Sequence, residues 1–205
     1  MNYEELVCQA EAVPLFGDDL LDTFVGSRQQ HHLQCCRWVK EGKLIRLKRG
    51  LYTLPETRRK VALPRLWLAN ALYSPSYVSL EYVLSLHDLI PERVDVVTSV
   101  TTRKTKKYTT RLGTYDYHHL ERGRFFGFEE IREDEKFSAL VALPEKALLD
   151  WIYFRHDWEP SEAYLKENLR LQNWDQLRKS KIKSLAVRFD SKKIKTAADI
   201  LLSLL

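Results

Sequence analysis

At 205 residues, the chain is long enough for one large domain, or for a small module joined to a medium-sized one. Hydrophobic residues make up 44% of it and charged residues 30%, with seven Gly, seven Pro and a net charge of +5, which excludes a mostly disordered protein. No stretch approaches the roughly 20 apolar residues of a membrane span and residues 1–5 do not resemble a signal peptide, so we expect a cytoplasmic protein.

Three helices are predicted before the first strongly basic segment. The first covers residues 2–12, and the second starts at Asp18, because acidic residues suit the first turn of a helix. Ser27 has the chemistry of an N-cap for the third helix, residues 28–41. Gly42 is a typical stop signal for that helix.

The third helix is predicted to have an apolar side and a polar side. Three residues at helical spacing form the apolar side: Leu33, Cys36 and Val39. The opposite side carries groups suited to hydrogen bonding: Gln30, His31, Gln34 and Arg37. Trp38 falls on the polar side, and the helical periodicity gives no reason for it.

Residues 43–54 predict a β-hairpin. Their sequence is KLIRLKRGLYTL, in which apolar and polar residues alternate around a turn at Arg49 and Gly50. The predicted apolar pairs are Ile45 with Leu54 and Leu47 with Tyr52. The predicted outer surface of the hairpin is cationic and consists of Arg46, Lys48 and Arg49.

These predicted elements occur in the order of a winged helix-turn-helix domain: two helices, a turn, a third helix and a cationic hairpin. We assign this domain to residues 1–58. A helix of this kind reads base edges in the major groove of DNA, and the wing places cations on phosphates. The candidate DNA-binding residues are Ser27, Arg28, Gln30, His31, Gln34, Arg37, Arg46, Lys48 and Arg49. The alternative is a small helical core with a solvated hairpin.

Residues 59–205 predict a second, α+β domain with a mostly antiparallel sheet and C-terminal helices. Helices are predicted at 64–73, 77–89, 144–154, 161–171, 174–189 and 196–205. Strands are predicted at 94–102, 108–112, 114–120, 128–133 and 137–143.

Basic residues occur in blocks along the chain. Residues 1–27 hold six acidic residues and no Lys or Arg, whereas residues 43–65 hold eight Lys or Arg and one acidic residue. A second basic run consists of Arg103, Lys104, Lys106, Lys107 and Arg111. It is either a solvated hairpin loop or a second surface that contacts phosphates.

Several motifs resemble the AbiEi family of bacterial antitoxins and transcriptional regulators. They are GKLIRLKRGLYTL from Gly42, SPSYVSLEYVLSLHDLIPE from Ser74, VTSVTTRKTKKYTT from Val97, LGTYDYHHL from Leu112 and ALVALPEKALLDWIY from Ala139. Related sequences often have Gly where this chain has Asp88. The resemblance implies a winged helix that binds inverted repeats of double-stranded DNA in its own promoter. It also implies an antitoxin domain that opposes a nucleotidyltransferase-like toxin of a type IV system without a stable complex.

Metal and cofactor sites are weakly indicated. His31/Cys35 and His32/Cys36 have the i, i+4 spacing of ligand pairs, but the two pairs diverge by about 100° around a helix, so we expect no zinc. Three cysteines are too few for a disulfide framework, and we expect free thiols. There is no Gly-rich phosphate loop, and we expect no cofactor.

The alternative function is a metal-dependent nuclease or another nucleic-acid enzyme. Its candidate carboxylates are Glu133, Asp134 and Glu135, which we interpret instead as a charged turn. Asp116 can share a strand face with only one of His118 and His119, so a general acid/base pair there is the weaker interpretation.

The PEKALLD segment also has an acidic and basic composition that could be read as catalytic. Lys146 and Asp150 within it are spaced as an ordinary i, i+4 ion pair worth a few tenths of a kcal/mol. We therefore expect no catalytic residues and no enzyme activity.

Overall fold

The computed structural model describes residues 2–205 and has an α+β fold. Its helices are α1 Tyr3–Ala10, α2 Asp18–Leu21, α3 Arg28–Lys40, α4 Arg65–Leu72, α5 Leu80–Leu86, α6 Pro144–Phe154, α7 Lys179–Phe189 and α8 Lys192–Leu204. Its strands are β1 Phe16–Gly17, β2 Ile45–Lys48, β3 Leu51–Thr53, β4 Ser76–Val78, β5 Val97–Thr101, β6 Lys106–Thr110, β7 Gly113–His119, β8 Phe128–Arg132 and β9 Ser138–Ala142.

The chain divides into two compact units. The first consists of the residues up to Pro64 together with Tyr108–Gly113, and the second of Arg65–Lys107 together with Thr114–Leu205.

The N-terminal unit packs α1, α2 and α3 against a three-stranded sheet of order β1-β3-β2. Asn2 caps α1 through its side chain, which accepts a hydrogen bond from the backbone N–H of Glu4 at 3.4 Å. The core beneath the helices is apolar and fully buried at Leu6, Ala10, Leu44 and Leu54. β1 is an element that the sequence pattern did not predict, because two residues are too few to show a period.

The hairpin of β2 and β3 turns where it was predicted to, with Gly50 at a φ of 72°. The predicted register is wrong. Ile45 pairs with Thr53 rather than Leu54, because the strands shift against each other between Arg46 and Lys48. This irregularity has the form of a β-bulge, in which one strand contains an extra residue and side-chain pairs below it move by one position.

The remaining strands form a six-stranded sheet of order β6-β7-β5-β4-β9-β8. The sheet is mixed: β4 runs antiparallel to β5 and parallel to β9, and β5 runs parallel to β7. The prediction of a mostly antiparallel sheet therefore missed two parallel pairings. Whether two strands are parallel depends on which strands are neighbours in the sheet. The sequence pattern does not show which strands are neighbours when they are distant in the chain.

The segment predicted as one helix over 77–89 contains a strand followed by a shorter helix. Tyr77 lies in β4 and α5 starts only at Leu80, whose φ of 61° is incompatible with a continuous helix. β4 is paired on both edges, with Val78 between Ser99 and Val141, so tertiary pairing overrides the helical period. Leu86, the last residue of α5, is 53% exposed.

The helix predicted at 144–154 is confirmed as α6, with Pro144 in its first turn. The helix predicted at 161–171 is shorter than predicted: helical residues run from Glu162 to Asn168, and Tyr164–Asn168 forms a π-helical turn. The predicted helix 174–189 is interrupted, since a 3₁₀ turn at Trp174–Gln176 precedes α7.

A buried polar cluster joins β4 to α6, and it corrects the prediction of an ordinary ion pair in PEKALLD. Lys146 and Asp150 form an ion pair, and both side chains are completely buried. The hydroxyl groups of Tyr77 and Ser79 each donate to Asp150 Oδ2 at 2.9 Å. The Lys146 ammonium also donates to the Tyr77 oxygen at 2.8 Å.

Burial shifts both ionisable groups of this cluster away from their charged forms. Desolvation lowers the pKa of Lys146 and raises the pKa of Asp150, and the attraction between the two charges opposes both shifts. The rings of Phe189, Phe126 and Tyr77 surround the ammonium at 4.9, 5.2 and 5.3 Å. The cluster is therefore part of the core, and removal of either partner would leave the other buried without its counter-charge.

Across residues 2–205, no helix combines the length and the apolar character needed to cross a membrane. The three cysteines, Cys8, Cys35 and Cys36, are free thiols.

Candidate nucleic-acid interface

The start of α3 is fixed by reciprocal hydrogen bonds. Ser27 Oγ accepts from the backbone N–H of Gln30 at 3.3 Å, and Gln30 Oε1 accepts from the backbone N–H of Ser27 at 3.0 Å. Gly26 precedes this capping box with a φ of 133°, and a Cβ there would come within 2.9 Å of His31 Nε2. Gln30 therefore has its amide oxygen committed to the cap, and its amide NH₂ is the part left for a ligand.

The buried side of α3 differs from the predicted one. His31, Cys35 and Trp38 are buried, with 4%, 0% and 3% of their surface exposed. Trp38 packs edge-on against Tyr3 with ring centroids 5.3 Å apart. A tryptophan buries more area than a leucine, so the core takes the side of the helix that carries Trp38. The predictions that His31 points outward and that Leu33 points inward are both wrong.

Five exposed residues form the side of α3 that points away from the core, which we call the outer face: Gln29, Gln30, Leu33, Arg37 and Lys40. Gln34 is half-buried at its edge and lines a depression of about 340 Å³ together with Leu33, Arg37 and Val25. Gln29, Leu33 and Lys40 on this face were not among the predicted site residues. The signal that could have found them is Trp38, because placing it in the core rotates the helix so that Leu33 faces outward.

The hairpin presents its cations as predicted. Arg46 and Arg49 are exposed, Lys48 is half-buried, and Leu47 beneath them is buried. Within the part of the chain that the structure describes, no carboxylate forms an ion pair with Arg37, Arg46 or Arg49. These charges are therefore solvated and available to an anionic ligand.

Two other exposed cations in this unit already have acidic partners. Arg28 is exposed but forms an ion pair with Asp22, with Nη2 and Oδ2 2.5 Å apart. Lys43, near the start of the hairpin, lies 2.8 Å from Glu41. Both pairs are exposed, so an incoming phosphate would compete with a weak interaction.

The second basic run is exposed along β6 and the segments that flank it. Its members Arg103, Lys104, Lys106, Lys107 and Arg111 are all accessible. Arg103 is held in place, because its guanidinium lies 4.8 Å from the Tyr73 ring centroid and donates to the Ser74 carbonyl at 3.2 Å. Arg111 belongs to the first unit and the other four residues to the second.

The carboxylates of the alternative nuclease site have structural partners. Glu133 accepts hydrogen bonds from the backbone N–H groups of Leu66, at 3.2 Å, and Trp67, at 2.5 Å, at the start of α4. Asp134 Oδ1 accepts from the backbone N–H groups of Lys136 and Phe137 at 2.7 and 2.8 Å. Both carboxylates therefore hold the backbone, and a metal ion would have to displace these bonds.

Asp116 and His118 lie on one face of β7, as alternate residues of a strand must. Both line a cavity of about 580 Å³ in the second unit, with Lys107 and Trp151 in its wall. Across the described residues 2–205, no group of three or more His, Cys, Asp or Glu side chains is arranged to hold a metal ion.

No protein-family model matches the chain, and the comparison with curated proteins finds no match either. The resemblance to the AbiEi family therefore stays a prediction from the sequence motifs.

Proposed function

We propose that the N-terminal unit is a winged helix-turn-helix domain that binds double-stranded DNA. The observation that carries the proposal is the outer face of α3, which is polar and cationic. The same unit contains a hairpin whose arginines form no ion pair with a carboxylate of residues 2–205. In this proposal α3 is the recognition helix and the β2–β3 hairpin is the wing.

The dimensions and the charges fit this assignment. α3 has 13 residues, so its length is about 20 Å, enough to lie along the major groove. Arg37 on the outer face has the fork of donors that pairs with a guanine edge. Arg46 and Arg49 would contact phosphates, which positions the domain without reading sequence.

The wider role follows from the resemblance alone. We propose a cytoplasmic autorepressor that binds inverted repeats in its own promoter, and an antitoxin that opposes a nucleotidyltransferase-like toxin. The proposed protein is not an enzyme and needs no cofactor. The occupied carboxylates of Glu133 and Asp134 favour this reading over the nuclease alternative.

The DNA-binding proposal is tested with a variant in which Arg46, Lys48 and Arg49 are replaced by Ala. We expect weaker binding to every duplex, and a slope of log affinity against log salt that is shallower by up to about 2.7, because each lost phosphate contact removes about 0.9. Fluorescence anisotropy with labelled DNA between 50 and 200 mM salt measures both quantities.

The matched control replaces three exposed cations of the second unit with Ala, namely Arg93, Arg122 and Lys136. It removes the same charge as the wing variant but from scattered positions, so the salt slope should change little. Equal affinity and equal slope in the wild type and the wing variant contradict the proposal.

The other parts of the proposal have separate tests. Co-expression with the product of an adjacent toxin-like reading frame should restore growth without the two proteins co-purifying. Cleavage of labelled DNA or RNA that requires Mg²⁺ or Mn²⁺, and that is lost when Glu133, Asp134 and Glu135 are changed, would favour the nuclease alternative.

A further inference from the structure

A leucine occupies the centre of the outer face of α3. Leu33 is 55% exposed and lies about 160° around the helix from the fully buried Cys35. A second apolar side chain, Val25, is 96% exposed and lines the same depression. Single exposed apolar residues are common, but here two of them line one depression in a surface that is otherwise polar and cationic.

The neighbours of Leu33 indicate what could cover it. Gln29 lies one turn before it and Arg37 one turn after it, each about 6 Å away along the helix axis. The outer face carries two cations, Arg37 and Lys40, and no acidic residue. This charge fits a polyanion such as DNA better than it fits the mixed surface of a typical protein partner.

The major groove of DNA offers a leucine one apolar group, the C5-methyl of thymine. We infer that Leu33 is a specificity-determining residue that contacts a thymine methyl group in the DNA site of this protein. The inference rests on the proposed DNA-binding function and adds to it a base preference at one position. The neighbouring Gln29 amide can donate to and accept from an adenine edge, and the Arg37 guanidinium can donate twice to a guanine edge, on either side of the methyl contact.

The inference is tested by removing the methyl group from the DNA rather than from the protein. A duplex is first selected from a random library by the full-length protein, and each thymine in it is then replaced in turn by deoxyuridine. Burial of one methyl group is worth about a fourfold change in affinity, so one substitution should weaken wild-type binding by about that factor.

Two variants make the test specific. Leu33→Ala should bind the thymine and the deoxyuridine duplexes within about twofold of each other, because the side chain that contacts the methyl is gone. Leu86→Ala is the matched control, since Leu86 is 53% exposed and lies in the second unit, and it should keep the fourfold difference. Both positions are exposed, and Ala is the best helix former, so both variants should fold.

The outcomes separate this inference from the function on which it rests. If no duplex is selected and no salt-dependent binding is measured, the proposed function fails and the inference fails with it. If a duplex is selected but no deoxyuridine substitution weakens binding, only the inference is overturned. A deoxyuridine effect that persists in Leu33→Ala overturns it as well, because another residue then contacts the methyl.

Discussion

Replacing Lys146 by Met should destabilise the second unit strongly. The substitution leaves the Asp150 carboxylate completely buried, with hydrogen bonds from Tyr77 and Ser79 but without its cation. Removing one partner of a buried ion pair costs about 3–5 kcal/mol. The carboxylate can escape this cost by binding a proton. From its ordinary pKa of 3.8, protonation at pH 7 costs about 4.4 kcal/mol, so the expected loss is about 4 kcal/mol.

The pH dependence gives this prediction a distinctive sign. In the variant the pKa of Asp150 is raised further above its value in the unfolded chain, so the folded state holds a proton that the unfolded state releases as pH rises. The deficit should therefore shrink as pH falls, to about 2 kcal/mol at pH 5. The double variant Lys146→Met/Asp150→Asn should be less destabilised than Lys146→Met alone, because no charge is left buried.

Urea denaturation followed by circular dichroism at pH 7 and pH 5 measures these differences. A loss of about 4 kcal/mol lowers the midpoint by about 2 M. Lys166→Met is the matched control: Lys166 pairs with Glu162 at the same i, i+4 spacing, but both side chains are 49% exposed, so the loss should stay below about 0.5 kcal/mol. A Lys146→Met variant that loses no more than this control, or loses equally at both pH values, would refute the reasoning.

Two further predictions follow from backbone conformation and from burial. Asp88→Gly should raise the free energy of unfolding by about 0.5–1 kcal/mol, because Asp88 follows the end of α5 with a φ of 51° that Gly adopts without strain; a lower melting temperature would contradict this. Ellman's reagent at pH 8 should label the exposed Cys8 rapidly and Cys35 only on unfolding, because burial raises the pKa of the Cys35 thiol from 9.0 to about 11. A rapid phase of one thiol that survives in the double variant Cys8→Ser/Cys36→Ser would contradict the assigned burial, because Cys35 is then the remaining cysteine.

Elements with a local chemical signal were predictable from the sequence. Pro144 marks the first turn of α6, Ser27 caps α3, and Gly42 adopts the positive φ of 76° expected just after that helix ends. The positive φ of Gly50 likewise follows from the hairpin turn. In each case the residue type fixes the backbone by itself, without reference to the rest of the fold.

Features that depend on distant parts of the chain were not predictable. The leucines and valine after Val78 have a helical period, yet Val78 itself is a strand residue because two other strands pair with it. Lys146 and Asp150 have the spacing of a surface ion pair, and only the packing of Tyr77 and Phe189 around them buries their charges.

The outer face of α3 was predicted as a polar and cationic surface, but its rotation was not. Helical periodicity alone predicted that Leu33 is buried. In the structure Trp38 packs against Tyr3 of another helix, and this packing places Leu33 on the outer face. The exposure of the hairpin cations was predicted correctly. Successive side chains of a strand point to opposite faces whichever strand lies beside it, so the sequence alone shows which residues share a face.

The position of β4 has a consequence for synthesis on the ribosome. β4 lies inside the sheet, but one of its two neighbours is β9, and Val78 pairs with Val141 far along the chain. While the chain grows, that edge of β4 stays without its partner until β9 has left the exit tunnel. The nascent second unit therefore exposes an open strand edge for several seconds, and this interval is when mispairing between chains is most favoured.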